Sequence, residues 1–187
     1  MIYFFYMQEL SDKELVILAV KGDMKAFEQL VSLYEKPIFG YIFRFVVHKE
    51  NAEDLTQETF IKIFRSLKTF DPEYKFKTWL FTIATNTVYD WLRKAKKNKE
   101  MFIVDDPDID FETIDDRWSY KLTEDKELVD NALKKIKPVY QSVIVLFYRD
   151  ELSYQEIAEI LKVPVNTVKT YMYRAKEALS EELIEKI

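Results

Sequence analysis

The sequence predicts an all-α protein of two small helical domains joined by an acidic flexible linker. Three observations carry this. Among 187 residues there are only two glycines and five prolines, while Leu, Ile, Lys and Glu are plentiful, a composition that favours helix. Apolar residues recur at helical spacing on both sides of the chain's middle. Between them the period stops, at a stretch where Asp105 to Asp116 holds seven acidic residues and no basic one. The expected divisions are a first domain over 1–99, a linker over 100–123, and a second domain over 124–187 that contains a helix-turn-helix.

Several functions are disfavoured at once. There is no cysteine, which excludes disulfides and thiolate zinc sites, and His48 is the single histidine. Histidine-based metal or triad chemistry therefore has no material, and no cofactor is expected. No apolar run approaches the roughly 20 residues that span a bilayer. The opening MIYFFYM lacks the basic flank and cleavage site of a signal peptide. A soluble cytoplasmic protein is expected, with no membrane insertion of its own.

Taken in order, Ser11 and Glu14 form a capping box, and Leu15, Val16, Leu18 and Ala19 give the helix behind it an apolar side. Gly22 is expected to stop that helix and Asp23 to cap the next. The next helix carries Phe27, Leu30, Val31 and Tyr34 and is expected to end at Lys36-Pro37. Ile38 to Val47, apolar nearly all round, suits a separate central helix. Asn51 is then expected to cap NAEDLTQETFIKIFRSL, with Ala52, Leu55, Thr56, Phe60, Ile63 and Leu67 inward. Asp54, Gln57, Glu58 and Ile61 share its other side. A solvated face accounts for such charges, but an apolar residue set among carboxylates fits a protein partner with basic side chains. Thr69 to Lys77 reads as a loop around Asp71-Pro72.

The helix from Phe76 to Lys99 is the centre of the first half. Leu80, Ile83, Ala84, Thr87, Val88, Trp91, Leu92 and Ala95 form its core stripe. Trp79, Thr82, Asn86, Tyr89, Arg93 and Lys97 share another face, which grades from aromatic to cationic. Tyr89 to Lys99 carries a local charge of +4 in a chain of net charge −5. Without the acidic run the remainder of the chain would carry +2, so charge is divided between segments. Aromatic surface stacks on exposed bases and cations neutralise phosphates, a combination suited to a duplex being opened. An amphipathic helix with an ordinary basic end fits the same spacing.

In the second half Leu128, Val129, Ala132, Leu133 and Ile136 make one helix. Pro138 begins another with Val139, Val143, Leu146 and Phe147. Ser153 and Glu156 are a second capping box, opening a helix with Ile157, Ala158 and Leu161 inward. After Lys162-Val163-Pro164 comes a helix burying Val168, Met172, Ala175 and Leu179. The tight turn and small Ala158 suit a helix-turn-helix, with Asn166, Lys169, Thr170, Tyr173 and Arg174 facing outward. Those residue types reach base edges and phosphates. Lys162 occupies a turn position often given to glycine, and an ordinary helical hairpin fits the same pattern.

AEDLTQETFIKIFRSLKTFDP followed by FKTWLFTIATNTVYDWLRK resembles the core-binding and promoter-melting segment of bacterial sigma factors. LSYQEIAEILKVPVNTVKTYMYRAKEAL resembles their promoter-reading helix-turn-helix, and the small size resembles the extracytoplasmic-function (ECF) type. The resemblance runs from about Ser11 to Leu183. It implies a promoter-specificity subunit that is not an enzyme, whose partners are core RNA polymerase, promoter DNA and an anti-sigma factor. By the resemblance, Asp54, Gln57, Glu58 and Ile61 form the core polymerase contact. Phe76, Trp79, Asn86, Tyr89, Arg93, Lys94, Lys96 and Lys97 belong to the minus-ten surface, beside a base-capturing loop over Thr69 to Lys77. Asn166, Lys169, Thr170, Tyr173 and Arg174 would read the minus-thirty-five element. The acidic linker would run through a basic channel of the polymerase. A stand-alone repressor or activator would leave the Asp54–Gln57–Glu58 face without a use. A helical di-metal enzyme would need Glu-x-x-His pairs that one histidine cannot supply.

Overall fold

The computed structural model describes residues 10–46, 48–95 and 126–184. MIYFFYM, Val47, Lys96, Lys97 and the acidic linker lie outside the described residues. Among those described, every regular element is a helix. The chain divides into two compact units. The first holds α1 (Asp12–Val20), α2 (Met24–Ile42), α3 (Lys49–Ser66), a 3-10 turn (Leu67–Thr69) and α4 (Phe76–Ala95) as far as Trp91. The second holds α5 (Lys126–Leu133), α6 (Pro138–Tyr148), α7 (Tyr154–Leu161) as far as Ala158, and α8 (Val165–Ile184).

Local sequence dictates most helix ends. The Ser11 hydroxyl accepts from the Glu14 backbone N–H, and the Ser11 backbone N–H donates to the Glu14 carboxylate at 2.8 Å. At the other end of α1, Gly22 takes φ +98, a conformation that side chains resist. Its N–H donates to the Ala19 carbonyl, and the Asp23 N–H to the Leu18 carbonyl, each at 3.0 Å. This is the paired closure that satisfies the last carbonyls of a helix. Asp23 then caps α2 through the Lys25 and Ala26 amides.

Two expected boundaries are corrected. Pro37 lies inside α2 rather than ending it, so the two helices expected over 24–47 are one, which stops at Ile42. A proline within a helix costs about 3 kcal/mol. Leu30, Tyr34, Ile38, Tyr41 and Ile42 are all buried on one continuous face, and each such side chain contributes roughly 1.5–3 kcal/mol on burial. Burial wins. In α3 the N-cap is His48, without a side-chain hydrogen bond, and Asn51 sits in the first turn as an ordinary helical residue. Lys49 and Glu53, paired at 3.1 Å one turn apart, support the added turn.

In the first unit α4 is the most enclosed element. Leu80, Phe81, Ala84 and Val88 are fully buried. Phe81 meets the Tyr41 ring edge-on at 5.6 Å, and the Tyr41 hydroxyl shares a 2.9 Å hydrogen bond with Thr85. The expected stripe holds at Leu80, Ala84, Thr87 and Val88, whereas Ile83, Trp91 and Leu92 are half-buried and Ala95 is exposed. Tyr34 donates its hydroxyl to Asp12 and its ring packs against Phe76. Burial, then the hydrogen bond and charge of Asp12, raise the Tyr34 phenol well above its usual range, so it stays protonated.

In the second unit α6 is buried on nearly all sides, from Tyr140 through Leu146. Ser153 and Glu156 cap α7 as expected, with the Ser153 N–H donating to Glu156 at 2.8 Å. The turn into α8 places Lys162 at φ +56, where a side chain is disfavoured. The Val163 N–H nonetheless closes onto the Ala158 carbonyl at 3.1 Å, the bond glycine usually enables. Lys162→Gly is therefore expected to stabilise the second unit by about 0.5–1 kcal/mol. A urea-unfolding midpoint unchanged or lowered by Lys162→Gly would count against strain at this turn.

Candidate functional site

Three surfaces collect the residues singled out from the sequence. On α3, Ala52, Leu55, Thr56, Thr59 and Ile63 face the core. Asp54, Gln57 and Glu58 are exposed on the other side, and Ile61 is 50% exposed among them. Buried Thr56 and Thr59 donate their hydroxyls to the carbonyls of Ala52 and Leu55, which lets them pack as apolar residues. The Glu58 carboxylate meets Lys62 at 2.8 Å. Phe64, 48% exposed and tilted against Phe27 with ring centres 5.0 Å apart, extends this face by a turn. Sequence reading passed over Phe64, although its i+3 spacing from Ile61 marks the same side.

On α4, Trp79 is half-buried, resting on Phe70 at 5.0 Å and Phe76 at 5.7 Å. Thr82 is half-buried, its hydroxyl donated to the Thr78 carbonyl. Asn86 is exposed, Tyr89 half-buried, and Arg93 and Lys94 exposed. Phe76 is corrected. It is 5% exposed and sits between Tyr34, Phe70 and Trp79, so it supports the aromatic surface from beneath. As the first residue of α4 its ring turns onto α2, a direction that spacing from Trp79 could not show. Lys96 and Lys97 lie outside the described residues. The expected loop is shorter than Thr69 to Lys77, because Thr69 ends the 3-10 turn and Phe76 opens α4. It carries Tyr74 at 66% exposure, a residue sequence reading did not single out.

On α8, Val168, Met172, Ala175 and Leu179 are buried as expected, with Tyr171 added. Asn166 is exposed, Lys169, Thr170 and Arg174 are half-buried, and Tyr173 is 39% exposed. Thr170 donates its hydroxyl to the Asn166 carbonyl at 3.0 Å. Glu177, one turn on, accepts from the Tyr173 phenol; that hydrogen bond, with the carboxylate's charge, raises the phenol above its ordinary value. Glu177 was not anticipated, though i,i+4 spacing from Tyr173 offers the contact.

Among the described residues no group of His, Asp or Glu could hold a metal ion. No helix among them is long and apolar enough to cross a membrane.

Comparison with known proteins converges on one group. Residues 30–98 match the Sigma-70 region 2 family and residues 126–179 match Sigma-70, region 4. The chain is 34% identical over 189 residues to the ECF RNA polymerase sigma factor SigW of Bacillus subtilis, covering 94% of this chain and 98% of that one. It is 32% identical to the ECF RNA polymerase sigma-E factor of Haemophilus influenzae, covering 94% and 97%. The sigma factor RpoE of Bartonella quintana, solved with the anti-sigma factor NepR, superposes with a TM-score of 0.66 at 25% identity, covering 85% of this chain and 97% of that one. CnrH, solved with the cytosolic domain of CnrY, shares the fold with a TM-score of 0.70 at 24% identity, covering 94% and 99%. A basic-ended aromatic helix in one unit, a helix-turn-helix in the other and these matches along nearly the whole chain place it among the ECF-type RNA polymerase sigma factors, transcription factors that direct promoter-specific initiation.

Proposed function

We propose that this chain is a dissociable promoter-specificity subunit whose two domains read two DNA elements while core RNA polymerase holds them at a set distance. Residues 1–99 form the core-binding and minus-ten domain, 100–123 the linker, and 124–187 the minus-thirty-five domain. Asp54, Gln57, Glu58 and Ile61 dock on a basic surface of core polymerase. Trp79, Asn86 and Tyr89 meet the minus-ten strand, and Arg93, Lys94, Lys96 and Lys97 hold its phosphates. Asn166, Lys169, Thr170, Tyr173 and Arg174 enter the major groove at the minus-thirty-five element. Phe76 positions Trp79 and makes no DNA contact of its own.

Each domain alone binds weakly, and tethering raises effective concentration so that the pair is selective. Melting is driven by capture. Stacking of roughly 1–3 kcal/mol per base offsets the unpairing of a few base pairs. The chain makes and breaks no bond. It acts in the cytoplasm, and an anti-sigma partner covers the same surfaces when transcription is not required. The RpoE–NepR neighbour supports that last element.

The observation that carries the reading is α4 itself. One side is sealed into the core, while Asn86, Arg93 and Lys94 stand exposed on the other. The test is in vitro transcription with core polymerase from the same host and its genomic DNA as template, followed by mapping of start sites. Initiation from sites that share two spaced upstream elements is expected. No initiation above that of core polymerase alone would sink the reading.

A further inference from the structure

Lys62 stands on α3 one turn beyond Glu58, and its ammonium reaches two helices. It lies 2.8 Å from Glu58 Oε1 on its own helix and 3.1 Å from Thr87 Oγ1 on α4. Thr87 is 1% exposed, and its hydroxyl donates to the Ile83 carbonyl at 2.9 Å. Its oxygen therefore accepts from Lys62, in one orientation. The Lys62 and Glu58 side chains are 39% and 49% exposed. An exposed pair of this kind adds little stability, because a flexible lysine gains little Coulomb energy in water and loses rotamer freedom. The acceptor on α4 changes that. It fixes where the ammonium sits, so the positive charge stays against Glu58 instead of sweeping through solvent.

Glu58 belongs to the acidic face assigned above to core polymerase, and this inference rests on that assignment. A carboxylate already paired with an internal ammonium is offered to a basic partner part-neutralised. The partner's cation must take Glu58 from Lys62 before it gains the full contact. We propose that Lys62, held in place by Thr87, is a positioning residue that competes internally for Glu58 and so weakens docking on core polymerase, keeping attachment reversible.

The test measures the affinity of the full chain for core polymerase at fixed salt, with circular dichroism to check folding. Lys62→Met keeps the aliphatic stem and removes the ammonium; it is expected to tighten binding about threefold, the scale of an exposed ion pair. Thr87→Val keeps the lysine and its charge but removes the fixing acceptor, and should fall between wild type and Lys62→Met. With Glu58→Gln already in place, Lys62→Met should change nothing further, which a merely structural role for Lys62 would not produce. Unchanged or weakened binding by Lys62→Met overturns the proposal. So does an equal gain with and without Glu58→Gln, since that marks general repulsion of a basic partner by Lys62. Failure of the underlying assignment looks different. Glu58→Gln and Asp54→Ala would each leave core affinity unaltered, removing the docking face and this competition with it.

Discussion

Asp54→Ala combined with Gln57→Ala is expected to abolish co-purification with core RNA polymerase while the helical circular dichroism stays as it is. Both side chains are exposed on α3, opposite the buried Ala52, Leu55, Thr56, Thr59 and Ile63. Removing them opens no cavity, and alanine is the better helix former, so α3 itself should not weaken. Binding is another matter. Truncating a carboxylate that pairs with a cation across an interface costs about 2–5 kcal/mol, because the partner's charge is left desolvated and unpaired. Even the lower figure is roughly a thirtyfold loss of affinity. Ile61 would remain, but an apolar contact alone does not fix the docking register. Retained co-purification would favour a regulator that works without joining polymerase.

Phe81→Ala is expected to lower the stability of the first unit by about 3–5 kcal/mol. The ring is fully buried and meets Tyr41 edge-on, with planes at 87°. Its loss removes the transfer free energy of a large side chain and leaves a space between α2 and α4 that rigid helices cannot close. Domains are stable by only about 5–15 kcal/mol, so the variant should sit close to unfolding. Unfolding in urea, followed by the fluorescence of Trp79 and Trp91 on α4, reads the shift in midpoint. A loss under about 1 kcal/mol would mean that the core repacks around the gap, contrary to close packing. The consequence reaches function. Asn86 and Arg93 are presented only because the opposite side of α4 is anchored, so DNA capture should fall with the anchor.

Signals within a few residues of one another were legible without the fold. Ser11 with Glu14, Gly22, Asp23, Pro138 and Ser153 with Glu156 act over one turn, through backbone groups that their own side chains satisfy or release. Periodicity likewise separated the exposed Asp54, Gln57 and Glu58 from the core side of α3, and Asn86 from that of α4. Where a local rule competed with long-range burial, local reading failed. Pro37 obeys the helix-breaking rule in isolation, yet α2 runs through it because five large side chains on one face outweigh one missing hydrogen bond.

Polar residues hid part of the core. Thr59 and Thr85 are buried, though a hydroxyl argues for the surface. Thr59 spends its hydroxyl on the Leu55 carbonyl of its own helix and Thr85 on Tyr41, so neither leaves an unmet polar group inside. Thr59 finds its acceptor one turn back on its own helix, but Thr85 finds its partner on α2, which is known only once the helices have packed. Phe76 is the same lesson at the site. Its chemistry suits a base-stacking surface, but Tyr34 and Phe70 claim its ring.

By itself, then, the sequence determined the helical class, the ends set by caps and glycine, the division of charge, and which residue types could face DNA or a partner. All of these depend on composition or on neighbours within about a turn. Only the tertiary structure decided that α2 is continuous, that Phe76 lies beneath Trp79 rather than beside it, and that Lys62 joins Glu58 to Thr87. Those outcomes turn on contacts between residues far apart in the chain, whose energies exist only once the helices have packed.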